Sequence, residues 1–242
     1  MIKEFIKYII IILSYLIRRD NKSKVIYYHD IGFDYTTDGT DADLIKKQIR
    51  KLKKCGYTFV SQITEPENQL MVCFDDGWKG LYEHKELFID EGIFPTIFIA
   101  MELIGKDGYM TKEQLQELVN LGFRLQSHTY SHQDLGVLNR QELIHELKDS
   151  RDKLQKIFNL PFDEICFPMG RFSNLTLEES INAGYKLMFT SLEGGYYDNI
   201  DNRLTYRYFL QSMPACMVKY YVRGFSKILY NRAYHQHFVD AI

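Results

Sequence analysis

Two adjacent carboxylates follow a short apolar segment in the first third of the chain. Leu70–Phe74 reads L-M-V-C-F, and Asp75, Asp76 and Gly77 come directly after it. A short apolar run bounded by a turn signal is typical of a strand buried on both faces. Neighbouring carboxylates at the end of such a strand repel each other unless a cation or a proton relieves the repulsion. The pair therefore indicates a divalent metal site, with capping of the next helix as the alternative.

A histidine pair provides the second group of candidate ligands. His128 and His132 lie four residues apart in S-H-T-Y-S-H, after the mixed segment Phe123–Gln126. Neutral imidazole is the commonest transition-metal ligand, and two histidines with one carboxylate leave a coordination position open for water. Two surface histidines in a polar loop are the alternative. A carboxylate pair at a second strand end favours the metal site.

These motifs together resemble one family. The segment Phe74–Gly77 matches its F-D-D-G motif, His128–His132 matches its H-[ST]-x-x-H motif, and Cys166–Gly170 (C-F-P-M-G) is similar to its short Pro-x-Gly motif. The chain thus resembles the polysaccharide deacetylase family, carbohydrate esterase family four, over about residues 24–209. In motif pattern it is most similar to the branch that acts on poly-N-acetylglucosamine.

The resemblance implies a metal-dependent hydrolase. It would remove N-acetyl groups from an N-acetylated sugar of a bacterial-type polysaccharide or lipid-linked glycan. By this resemblance Asp76, His128 and His132 bind one divalent ion, Zn²⁺ with Co²⁺ or Ni²⁺ as alternatives. Asp75 is the general base that activates the metal-bound water for attack on the amide carbonyl. This division of roles between Asp76 as ligand and Asp75 as base is chemically reasonable. A metal lowers the pKa of its bound water, and a neighbouring carboxylate that does not bind the metal can accept the proton.

The same resemblance places further residues around the substrate. Pro168, Met169 and Gly170 are expected to contribute an oxyanion donor, and Arg207, in T-Y-R-Y-F, is expected to approach the substrate. Arg207 as a surface strand residue is the alternative.

The chain also departs from the family pattern. Cys166 stands where many members carry an arginine that orients the base, and the later Asp–Trp and Leu-x-His motifs have no counterpart. His235 and His237 do not match the latter. His29, after the first predicted strand, is therefore the candidate general acid, with a structural role as the alternative. These departures keep open a catalytically weak metal-binding carbohydrate-binding protein as an alternative. A second alternative, a deformylase of a lipid-linked amino sugar, would suit a membrane-associated protein on the cytoplasmic side.

Composition narrows the class of protein. The chain has 242 residues, 45% of them apolar, which suffices for one large α/β domain. A formal net charge of −2 gives no reason to expect nucleic acid as a partner. The four cysteines form no C-x-x-C pair, which favours a reducing compartment over a disulfide framework.

Strand patterns alternate with helix patterns at least five times, which indicates parallel strands joined by right-handed crossovers. The chain is short for a complete eight-fold barrel. The predicted fold is α/β, a distorted (β/α) barrel of about seven strands with flanking N- and C-terminal helices. Active sites of such barrels lie at the carboxyl ends of the strands, where both candidate ligand groups fall.

The two ends of the chain suggest contact with a membrane surface. Residues 1–22 are predicted as an apolar helix, an interfacial helix or anchor, with a helix packed on the domain as the alternative. Residues 23–242 are predicted as the catalytic domain, ending in a basic amphipathic helix at 216–238. This helix either covers the base of the barrel or contacts an anionic membrane surface. Arg18 and Arg19 favour the cytoplasmic side of the membrane. An exported, anchored form is the alternative.

Overall fold

The structure, a computed structural model, describes residues 2–199 and 203–239. Residues 1, 200–202 and 240–242 of the predicted ranges lie outside the described residues. Short strands alternate with helices along the chain. The strands are β1 (Lys24–Tyr28), β2 (Asp30–Ile31), β3 (Gly39–Thr40), β4 (Thr58–Phe59), β5 (Gln69–Phe74), β6 (Thr96–Ile99), β7 (Arg124–Ser127), β8 (Glu164–Cys166), β9 (Leu187–Phe189), β10 (Leu204–Thr205) and β11 (Arg207–Phe209).

Nine of these strands form one parallel sheet in the order β10-β9-β8-β7-β6-β5-β1-β11, with β4 also paired to β5. The remaining two, β2 and β3, pair with each other. The two edges of the large sheet are consecutive in the chain, because Tyr206 alone separates β10 from β11. Residues 204–209 therefore pair first with β9 and then with β1. The sheet curls into an open barrel, as the sequence predicts.

Alternating residues of the central strands face two different cores. In β1 and β5, Ile26 and Val72 pack outward against the surrounding helices, whereas Val25 and Met71 pack inward with residues of the opposite strands. Both sets are almost fully buried. Burial on both faces explains why these strands read as continuous apolar runs.

Ten α-helices within the described residues surround the sheet. They are α1 (Ile2–Ile17), α2 (Ala42–Lys54), α3 (Lys79–Glu83), α4 (Glu86–Ile89), α5 (Lys112–Asn120), α6 (Arg140–Ile144), α7 (Ser150–Phe158), α8 (Asn174–Asn182), α9 (Val218–Arg223) and α10 (Lys227–His237). A π-helical segment, His145–Asp149, joins α6 to α7.

The predicted tail helix at 216–238 is wrong in one respect, because it forms two helices instead of one. Gly224 separates α9 from α10 in extended conformation. It lies against α1, where a Cβ would come within 3.1 Å of the backbone of Tyr15. Ser226 then starts the next helix by accepting a hydrogen bond from the amide of Leu229 at 3.3 Å. The close approach of two backbones interrupts the helix.

The N-terminal helix α1 packs on α9. Ile11 and Tyr15 are buried in this contact, and the Tyr15 ring meets that of Tyr220 edge-on at 5.0 Å. The opposite side of α1 is apolar but exposed. None of the helices within residues 2–199 and 203–239 has the length and apolar character needed to cross a bilayer.

Candidate active site

Two strand ends bring the predicted metal ligands together. Asp76 follows β5, and His128 and His132 follow β7, two strands away in the same sheet. The Asp76 Oδ1 atom lies 3.2 Å from Nε2 of His128 and 3.1 Å from Nε2 of His132. Parallel strands place their carboxyl ends at the same edge of the sheet, so residues 52 or more positions apart in the chain converge on one point.

The surrounding hydrogen bonds prepare these three groups for a cation. The indole Nε1 of Trp78 donates to Oδ2 of Asp76 at 3.0 Å, while the buried Oδ1 has no hydrogen-bond partner among the described residues. Nδ1 of His128 donates to the carbonyl of Cys166 at 2.8 Å, which leaves Nε2 unprotonated in the neutral ring. An unpaired carboxylate oxygen facing two imidazole nitrogens fits a divalent transition metal.

A second cluster of possible ligands overlaps the first. Asp75, His128 and Cys166 also lie close enough together to share an ion. Here Asp75 is already paired with an arginine, and Nδ1 of His128 is committed to a backbone carbonyl. The triad of Asp76, His128 and His132 is therefore the better candidate metal site.

Asp75 lies beside this triad and is held by Arg207. The guanidinium donates from Nη1 to Oδ1 at 2.7 Å and from Nη2 to Oδ2 at 2.8 Å, and its Nε donates to the carbonyl of Thr190 at 3.0 Å. Nη2 also lies 3.0 Å from Sγ of Cys166. An arginine on the last strand thus lies next to both Asp75, the predicted base, and Cys166 of the third motif.

The position of Arg207 differs from the predicted one. Arg207 is 1% exposed, lies below the cleft with its guanidinium 4.0 Å from the centre of the Tyr27 ring, and uses its donors on Asp75 and Thr190. The prediction that it contacts substrate is therefore corrected. It holds Asp75 in place.

Electrostatics keep both carboxylates ionised. Burial raises the pKa of Asp75, but the charge and hydrogen bonds of Arg207 outweigh burial and hold that pKa below its usual value. Burial also raises the pKa of Asp76, yet the close approach of the His128 and His132 imidazoles to its carboxylate keeps that pKa well below the usual range. Burial lowers the pKa of His132, but the neighbouring Asp76 carboxylate outweighs burial and raises that pKa above the usual value. The site therefore presents an ionised carboxylate, Asp76, at the point where a cation would bind.

His29 lines the same cleft as the two carboxylates. Its Nδ1 lies 2.9 Å from the amide oxygen of Gln211. Because an amide oxygen only accepts hydrogen bonds, Nδ1 carries the hydrogen and Nε2 is available for proton exchange. The ring is held edge-on against Phe209 at 5.5 Å.

Strained backbone is concentrated at this site. Asp76, Thr129, His132 and Met169 all have positive φ, between 55° and 71°. The left-handed region is unusual for residues other than glycine, and especially for a β-branched residue such as Thr129. Such strain is found where the surrounding structure imposes a functional conformation. Here it turns the ligands of two loops toward one another.

The third motif forms a tight turn at the edge of the cleft. Pro168 is buried and starts the turn, whereas Met169 and Gly170 line the cleft. The amide of Gly170 donates to the carbonyl of Phe167 at 2.9 Å and is committed to the turn. The amide of Met169 is the remaining candidate oxyanion donor among these residues. Gly170 is required because a Cβ would lie 2.6 Å from Oγ of Ser191.

A buried carboxylate supports the histidine loop. Glu146 accepts hydrogen bonds from the amides of Tyr130 and Ser131 at 3.0 and 2.9 Å and from the Ser131 hydroxyl at 2.5 Å. It lies in the π-helical segment, a feature often found at functional sites. Its side chain holds the loop from which His132 projects.

Sequence reasoning missed several of these contacts. Trp78 was recognisable by its position two residues after Asp76, but its bond to the carboxylate was not predicted. Gln211 and Glu146 carry no motif. His237, which does not match the family's Leu-x-His motif, nevertheless lines the cleft beside Met169, and burial lowers its pKa. Chain folding alone places these residues at the site.

The cleft itself has a volume of about 510 Å³ and opens above the carboxylates. Tyr27, Phe209 and Tyr221 contribute aromatic rings to its walls. Aromatic side chains carry large apolar faces together with polar tips. The cleft can thus hold a ring-shaped polar substrate next to the candidate metal site.

Comparison with solved structures shows the same fold. The Streptococcus pyogenes deacetylase PplD, solved in complex with acetate, superposes with a TM-score of 0.71 at 24% identity, over 81% of this chain and 96% of that protein. IcaB from Ammonifex degensii gives a TM-score of 0.74 at 20% identity, over 84% of this chain and 98% of that one.

Sequence comparison also finds a curated relative. The protein named "Putative polysaccharide deacetylase YxkH" from Bacillus subtilis (strain 168) is 24% identical over 178 residues. The match covers 73% of this chain and 59% of the relative, so the chain spans less than two thirds of that protein's length.

A family sequence model decides the assignment. The model described as Polysaccharide deacetylase matches residues 62–188, just over half of the 242 residues. The matched range contains Asp75, Asp76, His128, His132 and the turn at residues 168–170, whereas His29 and Arg207 lie outside it. The chain belongs to the polysaccharide deacetylase family.

Proposed function

We propose that the chain is a metal-dependent N-deacetylase that removes an acetyl group from an N-acetylated amino sugar within a glycan. One observation carries the proposal. An ionised carboxylate, Asp75, is held by Arg207 directly beside the candidate metal-binding triad, at the base of an open cleft. A fixed base next to a site for a Lewis acid is what amide hydrolysis requires.

Asp76, His128 and His132 would hold one divalent cation, and a nitrogen-rich set with one carboxylate suits Zn²⁺, with Co²⁺ or Ni²⁺ as alternatives. Bound there, the ion acidifies water and polarises a carbonyl group. The absence of a partner for Oδ1 of Asp76 supports this assignment.

The protein residues supply the proton transfers. Asp75 accepts a proton from the attacking water while the new C–O bond forms. Although both of its oxygens bind Arg207, a carboxylate has about four lone-pair directions and can accept a further hydrogen bond. His29, doubly protonated at this stage, donates the proton on Nε2 to the amine as the C–N bond breaks. Asp75 then releases the proton that it took from water and His29 takes one up again, which restores both groups. The products are acetate and the free amino sugar, and the amide of Met169 would stabilise the developing oxyanion.

The test begins with the metal-stripped protein. Reconstitution with Zn²⁺, Co²⁺ or Ni²⁺ is expected to restore acetate release from N-acetylglucosamine oligosaccharides, with one ion bound per chain. Asp76→Ala should lose the metal, whereas Asp75→Asn should retain it and lose activity. Wild-type hydrolysis by the Asp75→Asn protein would refute the assignment of the base. Parallel N-formyl substrates identify the acyl group that the enzyme removes.

We further propose that α1 binds a membrane surface. Its outer side exposes Phe5, Leu13 and Leu16, which are 66%, 52% and 70% exposed, and Arg18 and Arg19 follow the helix. Apolar side chains flanked by basic ones are typical of interfacial helices. The side of the membrane remains a prediction from those basic residues.

Co-sedimentation with phosphatidylglycerol vesicles tests this second proposal. The double variant Leu13→Gln/Leu16→Gln should remain in the supernatant. The control Val137→Gln, which alters an apolar residue 65% exposed in a loop elsewhere, should sediment like the wild type. If the double variant sediments with the vesicles as fully as the control and the wild type do, α1 is excluded as the membrane contact.

A further inference from the structure

A groove between α1 and α10 continues the active-site cleft. It has a volume of about 360 Å³. Lys7, Glu193, Ala233 and Gln236 line both the groove and the cleft. A molecule bound at the candidate metal site can therefore extend past Lys7 into the groove without leaving the protein surface.

The walls of the two cavities differ in chemistry. The cleft is lined by polar side chains, among them His29 and Ser191, and by the partly exposed ring of Phe209. The apolar lining of the groove is aliphatic and comes from Ile6 and Ile10 of α1 with Leu229 of α10. Sugar rings stack on aromatic faces, whereas aliphatic side chains pack best against another aliphatic chain. The groove suits a hydrocarbon chain better than further sugar units.

Two cations stand near the junction of cleft and groove. Lys7 and Arg232 line the groove, and within residues 2–199 and 203–239 neither forms an ion pair. Of the acidic groups nearby, Glu193 accepts a hydrogen bond from Tyr221 at 2.6 Å, and burial raises its pKa. Glu4 lies on the same turn of α1 as Lys7. Lys7 also lies over the Tyr221 ring, with Nζ 5.6 Å from the ring centre, and its charge acts on Glu193. Lys7 and Arg232 together offer two cationic groups that suit a phosphate group.

We propose that the substrate is a lipid-linked amino sugar. Its sugar lies at the candidate metal site, its phosphate lies between Lys7 and Arg232, and its aliphatic chain lies in the groove between α1 and α10. This inference rests on the proposed deacetylase function and names the substrate class of that site. Contact of the outer side of α1 with a membrane would place the groove next to the source of such a lipid.

Binding of the reaction product tests the groove separately from turnover. The probes are the decyl and methyl phosphodiesters of glucosamine 1-phosphate, used below the critical micelle concentration and titrated calorimetrically into the zinc-loaded protein. We expect the decyl ester to bind about tenfold more tightly than the methyl ester, because its chain leaves water for an apolar groove. Decyl glucosaminide, which lacks the phosphate, should bind several-fold more weakly than the decyl phosphodiester.

Two matched variants locate the effect. Ile6 and Ile9 are both exposed isoleucines of α1, 50% and 40% exposed, but only Ile6 lines the groove. Ile6→Gln should abolish most of the preference for the decyl chain, and Ile9→Gln should retain it. Lys7→Gln should remove the advantage of the phosphate.

Equal binding of the decyl and methyl esters would overturn the proposal, as would equal loss of preference in both isoleucine variants. Tighter binding of glucosamine tetrasaccharide than of the decyl phosphodiester would also overturn it, in favour of a polysaccharide chain. Acetate release from the N-acetylated esters is measured in parallel. Acetate release without a preference for the decyl chain in binding would support the deacetylase function and refute the lipid-linked substrate. A preference for the decyl chain without acetate release would support lipid binding in the groove and refute the deacetylase function.

Discussion

The ion pair between Asp75 and Arg207 is the most informative place to perturb the site. The two side chains are 4% and 1% exposed and are joined by two short hydrogen bonds. Removing one partner of a buried pair leaves an uncompensated charge, which costs about 3–5 kcal/mol. Arg207→Met should therefore lower the free energy of unfolding by about that amount at neutral pH. Its kcat should fall by about 10²-fold or more, since the base loses its orientation and its charge.

Three further variants separate charge from geometry. Arg207→Lys keeps the charge but loses the two-point contact, so it should be intermediate in kcat. Asp75→Asn/Arg207→Met removes both charges and should be more stable than Arg207→Met alone. Arg124→Met breaks the ion pair with Glu164 at the opposite end of the strands, where the Arg124 and Glu164 side chains are 21% and 8% exposed. This control should lose some stability while its kcat stays unchanged.

Urea unfolding and acetate release at saturating Zn²⁺ provide the measurements, with metal content determined for each variant. Wild-type kcat in the zinc-loaded Arg207→Met protein would refute the argument that Arg207 holds the base. Equal stability of Arg207→Met and the double variant would show that the buried charge of Asp75 does not need its partner.

Three other predictions concern the surroundings of the site. Glu146→Gln should weaken Zn²⁺ binding about 10–100-fold, because it loosens the loop that carries His132. The surface control Glu178→Gln should bind Zn²⁺ like the wild type, and the same dissociation constant in both variants would contradict the support role of Glu146. His29→Gln should lower kcat by about 10²-fold or more through loss of the acid, whereas the exposed His235→Gln should not; equal rates would exclude His29. Burial raises the pKa of Asp30 to about 6. The folded protein therefore binds a proton at Asp30 more tightly than the unfolded chain does, and the stabilisation from this proton is lost as the pH rises through about 6. We expect the unfolding free energy of Asp30→Asn minus that of the wild type to increase between pH 4.5 and pH 7.5, by at most about 3 kcal/mol, in urea unfolding experiments. The same difference at both pH values would show that Asp30 titrates normally.

Much of the fold can be predicted from local pattern. The apolar run of β5 and the regular alternation of strands with helices predict a parallel sheet, because strands buried on both faces and short crossovers leave a clear record in the sequence. The capping box of Thr111 and Gln114 marks the start of α5. The tail was mispredicted because the break at Gly224 depends on the approach of α1, which no local pattern encodes.

The sequence by itself determined which chemistry the site can perform. Asp76, His128 and His132 follow strands of one parallel sheet, and this topology requires that their loops meet at one edge. Ligand type and strand position therefore predict a metal site between these loops, whereas the choice of Asp76 over Asp75 as the ligand came from the family resemblance.

Only the tertiary structure decided how that chemistry is supported. Arg207 reaches Asp75, 132 residues away in the chain, because the curled sheet brings β11 beside β1. The groove between α1 and α10 likewise exists only because the two ends of the chain pack side by side. Long-range ion pairs and cavities depend on distances between elements, and those distances are set by packing of the whole domain instead of by any local run of residues.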